Sequence, residues 1–155
     1  MHLMADLKKL IKEYLKTARV MQLATSVHNQ PWVCTVHFYN DDDLNFYWAS
    51  MITRRHSMEI EQNPKVAIAI KIQEDTPDEK YVIGISAEGI AEMIDEEEIN
   101  KIGDKYISKL DKDPDLIKDI LSGKKPFKFY KLVPSKIVLF DVLNFPTDPR
   151  QELVL

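Results

Sequence analysis

Between Arg19 and Ala49 the sequence leaves a helical period and takes up strand-like runs joined by short turns, and this most constrains its fold. Arg19–Thr25 and Trp32–Tyr39 are rich in β-branched and aromatic residues, and His28-Asn29-Gln30-Pro31 parts them with turn-forming types. Asn40-Asp41-Asp42-Asp43 makes the next turn, and Leu44–Ala49 is a third strand. Three strands with such short links predict an antiparallel meander. Ahead of them, Leu7, Leu10, Ile11, Tyr14, Leu15 and Ala18 keep i, i+3, i+4 spacing, which predicts an amphipathic helix over about 5–18.

After the meander, Thr53–Gln62 reads as a short helix with Ser50 or Thr53 near its start and Asn63-Pro64 at its end. Val66–Ile72 is apolar enough for a buried strand, Glu74–Lys80 is a loop, and Tyr81–Ile94 is a long strand bent at Gly84 or Gly89. Asp95 and Glu98 have the spacing of a helix cap, so a second helix runs from Asp95 to about Leu110. Pro114–Leu121 follows as a third, ended by Ser122-Gly123. Phe127–Val133 and Lys136–Val142 read as two strands separated by Pro134, and Asn144–Leu155 as an irregular tail. The expectation is one α+β domain over residues 1–155, with enough strands to close a small barrel.

Composition removes several functions. Only four of 155 residues are glycine, and Gly84, Gly89, Gly103 and Gly123 fit neither a dinucleotide turn nor a phosphate loop. A phosphate on this chain has to be held mainly by side chains. The net charge of −4 argues against a general nucleic-acid binder, and Lys8, Lys9, Lys12 and Lys16 read as a solvated helix face. Cys34 is the only cysteine, so an intrachain disulfide and a cysteine-rich zinc site are both excluded. His2, His28, His37 and His56 lack metal-ligand spacing. No apolar run approaches the ~20 residues of a membrane span, and the first nine residues carry charges where a signal peptide is apolar. The expected location is the cytoplasm, with no nucleic-acid or membrane partner and no metal.

Ser50–His56 carries the most chemistry. Arg54, Arg55 and His56, with the Ser50 and Thr53 hydroxyls, stand where a strand gives way to a helix. A helix N-terminus offers unpaired N–H donors, and arginine adds a fork matched to phosphate oxygens. The spacing alone also fits a solvated helix start. On Trp32–Tyr39, alternation places Trp32, Cys34, Val36 and Phe38 on a core-like face. Val33, Thr35, His37 and Tyr39 fall on a semi-polar face suited to a covering helix, a second subunit, or a planar heteroaromatic ligand. His37 and His56 read as structural, Cys34 as an inert buried thiol, and the three aspartates as a turn.

The ordered set from Arg19 to Ile70 resembles the pyridoxamine 5'-phosphate oxidase-like, FMN-binding split-barrel superfamily. The matching features are the strand–turn–strand with Gln30-Pro31, the aromatic third strand, the Thr53–Arg55–His56 helix start, and Asn63-Pro64-Lys65-Val66-Ala67. Glu88-Gly89 with Ala91 and the tail from Asn144 to Glu152 extend the likeness. The resemblance implies a homodimer of split barrels with one FMN at each interface. It implies that Arg55, His56 and Ser50 face the phosphate, with Ala49 beside them and Cys34, Thr35, Val36, His37, Phe38 and Tyr39 along the flavin. The oxidases' arginine near Cys34, lysine near Tyr39, glutamine at Gly84 and C-terminal substrate motif are not matched. The implied activity is therefore an FMN-dependent oxidoreductase of another small molecule. A deazaflavin, a haem with His37 or His56 as axial ligand, and a non-catalytic flavin protein are the alternatives.

Overall fold

A computed structural model describes residues 2–72 and 82–155. The expected loop Glu74–Lys80 and the start of the strand at Tyr81 lie outside them. In chain order the elements are α1 (His2–Leu15), β1 (Val20–Val27), β2 (Gln30–His37), β3 (Tyr39–Asn40), β4 (Phe46–Met51) and α2 (Arg55–Gln62). There follow β5 (Lys65–Lys71), β6 (Ile83–Met93), α3 (Glu96–Leu110), α4 (Leu116–Leu121), β7 (Phe127–Asp141) and β8 (Arg150–Val154). The result is a curled antiparallel half-barrel with four flanking helices, an α+β split-barrel fold as the sequence leads one to expect.

The sheet runs β2-β1-β5-β6-β7-β4-β3, with β8 paired to β7. This overturns the meander. β1 pairs β2 and β3 pairs β4, but β4 pairs β7, from Phe46↔Leu132 to Met51↔Phe127. β2 and β3 therefore lie at opposite ends of the sheet, although only Phe38 separates them in sequence. The chain crosses from one end to the other at Phe38, which is fully buried. That crossing is possible only because the sheet curls until its ends meet.

Alternation fills the interior. β5 buries Val66, Ile68 and Ile70 and turns Ala67 and Ala69 outward, so it is half buried. Phe38, Phe46 and Trp48 join these in one cluster, closed by Leu7, Ile11 and Leu15 of α1. A second cluster lies between α3, α4 and the sheet, built on Tyr47, Ile102, Tyr106, Leu110, Ile120 and Phe129. Tyr106 and Phe129 meet edge-on at 4.9 Å. The first helix spans His2–Leu15, so it starts and stops earlier than its periodicity suggests. Leu44, expected in a strand, is a buried turn residue at φ 67°.

The two strands expected either side of Pro134 are one strand, β7. Its register against β6 shifts between Glu88 and Gly89: Glu88 faces Lys136 and Gly89 faces Pro134, leaving Ser135 as the extra residue. Proline lacks an N–H, and a bulge is where a sheet tolerates that. Gly89 permits the close approach. The tail also differs from expectation, because Arg150–Val154 forms β8 along the C-terminal half of β7. Asp141 anchors the segment before it, accepting bonds from the Leu143 and Asn144 N–H groups and, at 2.6 Å, from the Tyr14 hydroxyl of α1.

The cap signals of the helix expected from Asp95 hold closely in α3. Asp95 is the N-cap of α3, and its Oδ1 accepts from Glu98 N–H at 2.9 Å. Asp95→Ala should cost about 1 kcal/mol in a denaturant melt. An unchanged midpoint would show that the second core cluster alone holds this helix start. Pro114 stands outside α4, which begins at Leu116, and Gly123 ends it at φ +77°. None of the helices among the described residues is long and apolar enough to cross a membrane.

Candidate functional site

A cleft of about 370 Å³ opens where the two ends of the sheet approach one another. β2 supplies Thr35, Val36 and His37, and β4 supplies Ala49 and Ser50. Arg54 and His56 enter from the start of α2. Tyr106, Lys112, Leu116 and Ile120 from the α3–α4 unit, with Phe127 of β7, complete the wall. Seven residues singled out in the sequence thus converge, on elements far apart in the sheet: Thr35, Val36, His37, Ala49, Ser50, Arg54 and His56. No aspartate or glutamate lines the cleft among the described residues.

Its α2 end is rich in donors. Ser50 is buried, and its Oγ shares a 2.7 Å hydrogen bond with His56 Nε2. Burial and the Arg54 guanidinium push His56 below the usual histidine range, with Glu59 opposing, so the ring is neutral near pH 7. Arg54 is the N-cap residue of α2 but makes no side-chain cap bond. The expectation of a Ser50 or Thr53 cap is therefore corrected. Ser50 is turned to His56, and Thr53 is an exposed turn residue outside the cleft wall. The first intrahelical bond is Met58 N–H to Arg54 O, so the N–H groups of Arg55, His56 and Ser57 precede the helix's own ladder.

At the other end, Lys112 Nζ lies 3.0 Å from His37 Nδ1. Lysine can only donate, so Nδ1 accepts and the ring proton sits on Nε2. Burial first, then Lys112 and Arg19, push His37 below its ordinary pKa. Asp111 in the left-handed conformation ends α3, and the Lys112 N–H bonds back to Ile107 O, which fixes the turn. Between the ends, Tyr106 is hydrogen-bonded to the Ala49 backbone, and burial raises its phenol to about 12.

Besides Thr53, four expected site residues are not brought into this wall. Arg55 donates from Nε to Glu59 Oε1 at 2.7 Å, and its guanidinium lies 4.2 Å over the Trp32 ring. Glu59 is itself buried and accepts from Thr25. Trp32, expected on the core-like face, is 41% exposed and serves as that guanidinium's platform. Tyr39 stacks on Tyr47 at 6.0 Å and lines a separate hollow with Lys12, Lys16 and Lys109. Cys34 is half buried against the interior cluster, where burial raises its thiol pKa; like Phe38 it lies on the inner face. Sequence reasoning missed Arg54's separate role and the contributions of Tyr106 and Lys112. Arg54, as the N-cap, has extended backbone while Arg55 is the first helical residue, so their side chains leave the chain in different directions. Nothing local to α3 announces which strand it will cover.

The family described as pyridoxamine 5'-phosphate oxidase matches residues 7–140. The chain belongs to this family. The match takes in every strand except β8 and every element of the cleft. A search of curated proteins finds no match. Among solved structures, the chain is similar to a heme binding protein from Mycobacterium smegmatis, with TM-score 0.75 and 13% identity, covering 95% of this chain and 57% of that one. It is similar to General Stress Protein 26 from Bacillus anthracis str. Sterne, with TM-score 0.66 and 21% identity across the whole of both chains. A FAD-binding protein from Mesorhizobium loti aligns with TM-score 0.63 and 16% identity over 83% of this chain and 88% of that one. At these identities the likeness establishes the fold shared across the family, whose neighbours bind more than one cofactor.

Proposed function

We propose that the cleft holds FMN and that the protein is a flavin-dependent oxidoreductase of a small molecule. The observation that carries this is the convergence of Ser50, Arg54 and His56 with the uncapped start of α2, in a wall without carboxylates. Arg54 makes no ion pair or side-chain hydrogen bond among the described residues, so its donor fork is available to a phosphate. Val36, Ala49, Tyr106 and Phe127 supply the apolar and aromatic flank that a planar ring system needs. When bound, the flavin supplies the redox chemistry; the chain's own residues bind its phosphate, orient its ring and exclude water. The reading assigns the phosphate to Arg54, Ser50 and His56, with Arg55 held in its own pair.

The outer face of β1, β5, β6 and β7 supports a homodimer. Three contiguous hollows run over it, the largest about 780 Å³, past Val33, Val82, Ile90, Val133 and Phe140, each more than 40% exposed. An apolar face of this extent is usually covered by a partner.

A haem ligated through Nε2 of either histidine would have to displace a bond or a proton: His56 Nε2 is bonded to Ser50, and the Lys112 bond leaves His37 Nε2 protonated. A deazaflavin would use the same phosphate donors. Purified protein should carry a flavin absorption spectrum and bind added FMN to saturation. No FMN binding, together with a haem Soret band that disappears in His37→Ala or His56→Ala, would overturn the reading.

A further inference from the structure

We propose that the Lys112–His37 end of the cleft binds a carboxylate, so that the molecule meeting the flavin is a small carboxylic acid with an apolar body. This deepens the flavin reading and rests on it for the claim that the bound acid is a substrate.

Charge and donors both point there. Lys112 pairs with no carboxylate among the described residues, and its one partner is a ring nitrogen. Asp111 and Asp113, its neighbours in sequence, do not line the cleft, and Asp113 accepts from the Asp115 N–H. The lysine retains N–H donors beyond the one given to Nδ1, and His37 retains Nε2–H. Lys112 Nζ sits on the Nδ1 side of the ring, away from Nε2–H, so a carboxylate at this end is held by the ammonium's remaining donors. The pair carries a single positive charge, because His37 is held neutral near pH 7 by burial, Lys112 and Arg19. Arg19 is committed to the Leu110 carbonyl at 2.6 Å, at the C-terminal end of α3. Across the cleft stand Arg54 and the neutral His56. A monoanion satisfies the Lys112 end, whereas a phosphate dianion is better served by the guanidinium and helix start opposite. Leu116 and Ile120 of α4 lie in the same wall and offer contact to an apolar body.

Benzoate, its neutral isostere benzamide, and inorganic phosphate separate the possibilities, with the His37 ring resonance as the reporter. Benzoate should shift that resonance to saturation, benzamide should leave it in place, and phosphate should bind more weakly. Lys112→Met should weaken benzoate about tenfold, the scale of one charge-assisted hydrogen bond, and Lys112→Arg should restore most of it. FMN affinity should stay within about twofold in Lys112→Met, because a phosphate at α2 does not need Lys112. Tighter phosphate than benzoate, equal benzamide, or an indifferent Lys112→Met would each overturn the proposal. A Lys112→Met that loses FMN together with benzoate would do so too, by placing Lys112 in the flavin's own hold. If the wild-type protein binds no FMN, the flavin reading falls, and the benzoate response at His37 decides the carboxylate site alone.

Discussion

Gly89→Ala is expected to lose about 3 kcal/mol of stability or more, the upper range for forcing an extra methyl into a packed site. A Cβ there would stand 2.1 Å from the Val133 carbonyl oxygen and 2.7 Å from Pro134 Cα. Both are backbone atoms of a paired strand, so neither can step aside as a side chain would. The bulge that seats Pro134 in β7 depends on this closeness. For a domain of this length the loss should lower the thermal midpoint by roughly 6–12 °C. Gly84→Ala is the matched control: its nearest contact would be Ile70 O at 3.4 Å, an ordinary van der Waals distance. Equal melting of the two variants would remove the steric account of the bulge.

The second large effect separates two adjacent arginines. Arg54→Ala should weaken FMN roughly ten- to hundredfold, the loss of about 1.5–3 kcal/mol in charge-assisted bonds, with little change in melting. Arg55→Ala should do the reverse. It removes the Nε bond to Glu59 and the cover over Trp32, and with the pair partly exposed the cost is about 1 kcal/mol. Thr25 and Arg55 hold the Glu59 carboxyl below its usual range. Its stabilising contribution is therefore present above the unfolded carboxylate pKa and is lost as pH falls through the lower folded value. The Arg55→Ala deficit should accordingly be largest near neutral pH and fade in acid. FMN titrations and pH-resolved melts of both variants check this. Loss of FMN affinity confined to Arg55→Ala would move the phosphate to that residue.

Much of this architecture is legible in the sequence. The strand-like runs located β1, β2 and β5 to within two residues at each end, and the Asp95–Glu98 spacing located the start of α3 to a residue. The glycine–proline pairing across β6 and β7 was not legible. Pro134 looks like a separator locally, and only the partner strand reveals that its missing N–H falls at a bulge. β8 escaped for a similar reason, since its short segment becomes a strand through an edge of β7 that lies beyond it. Of the residues that line the cleft, Ser50 and His56 stand at a helix start that is a local feature of the sequence, and alternation sets Thr35 and His37 on one strand face, whereas Val36 enters only through the family resemblance. Arg54 against Arg55 was not legible, because which arginine faces the cleft depends on Glu59 and Trp32 holding the other. Lys112 sits about 75 residues from His37 in the chain, a separation no local period spans.

The crossing at Phe38 places the cleft over a seam rather than within a continuous sheet. β2 is one end of the strand order and β4 lies next to β3 at the other, and no ladder of backbone bonds joins β2 to β4. A molecule touching Thr35 and His37 on one lip and Ser50 on the other would act as a clasp, doing with its own contacts what hydrogen-bonded pairing does elsewhere in the sheet. By linkage, each tenfold excess of such a molecule over its dissociation constant adds about 1.4 kcal/mol to the closed form. Occupancy of the cleft and closure of the sheet would then be one equilibrium, and the rim strands would exchange their amide protons more slowly as it fills.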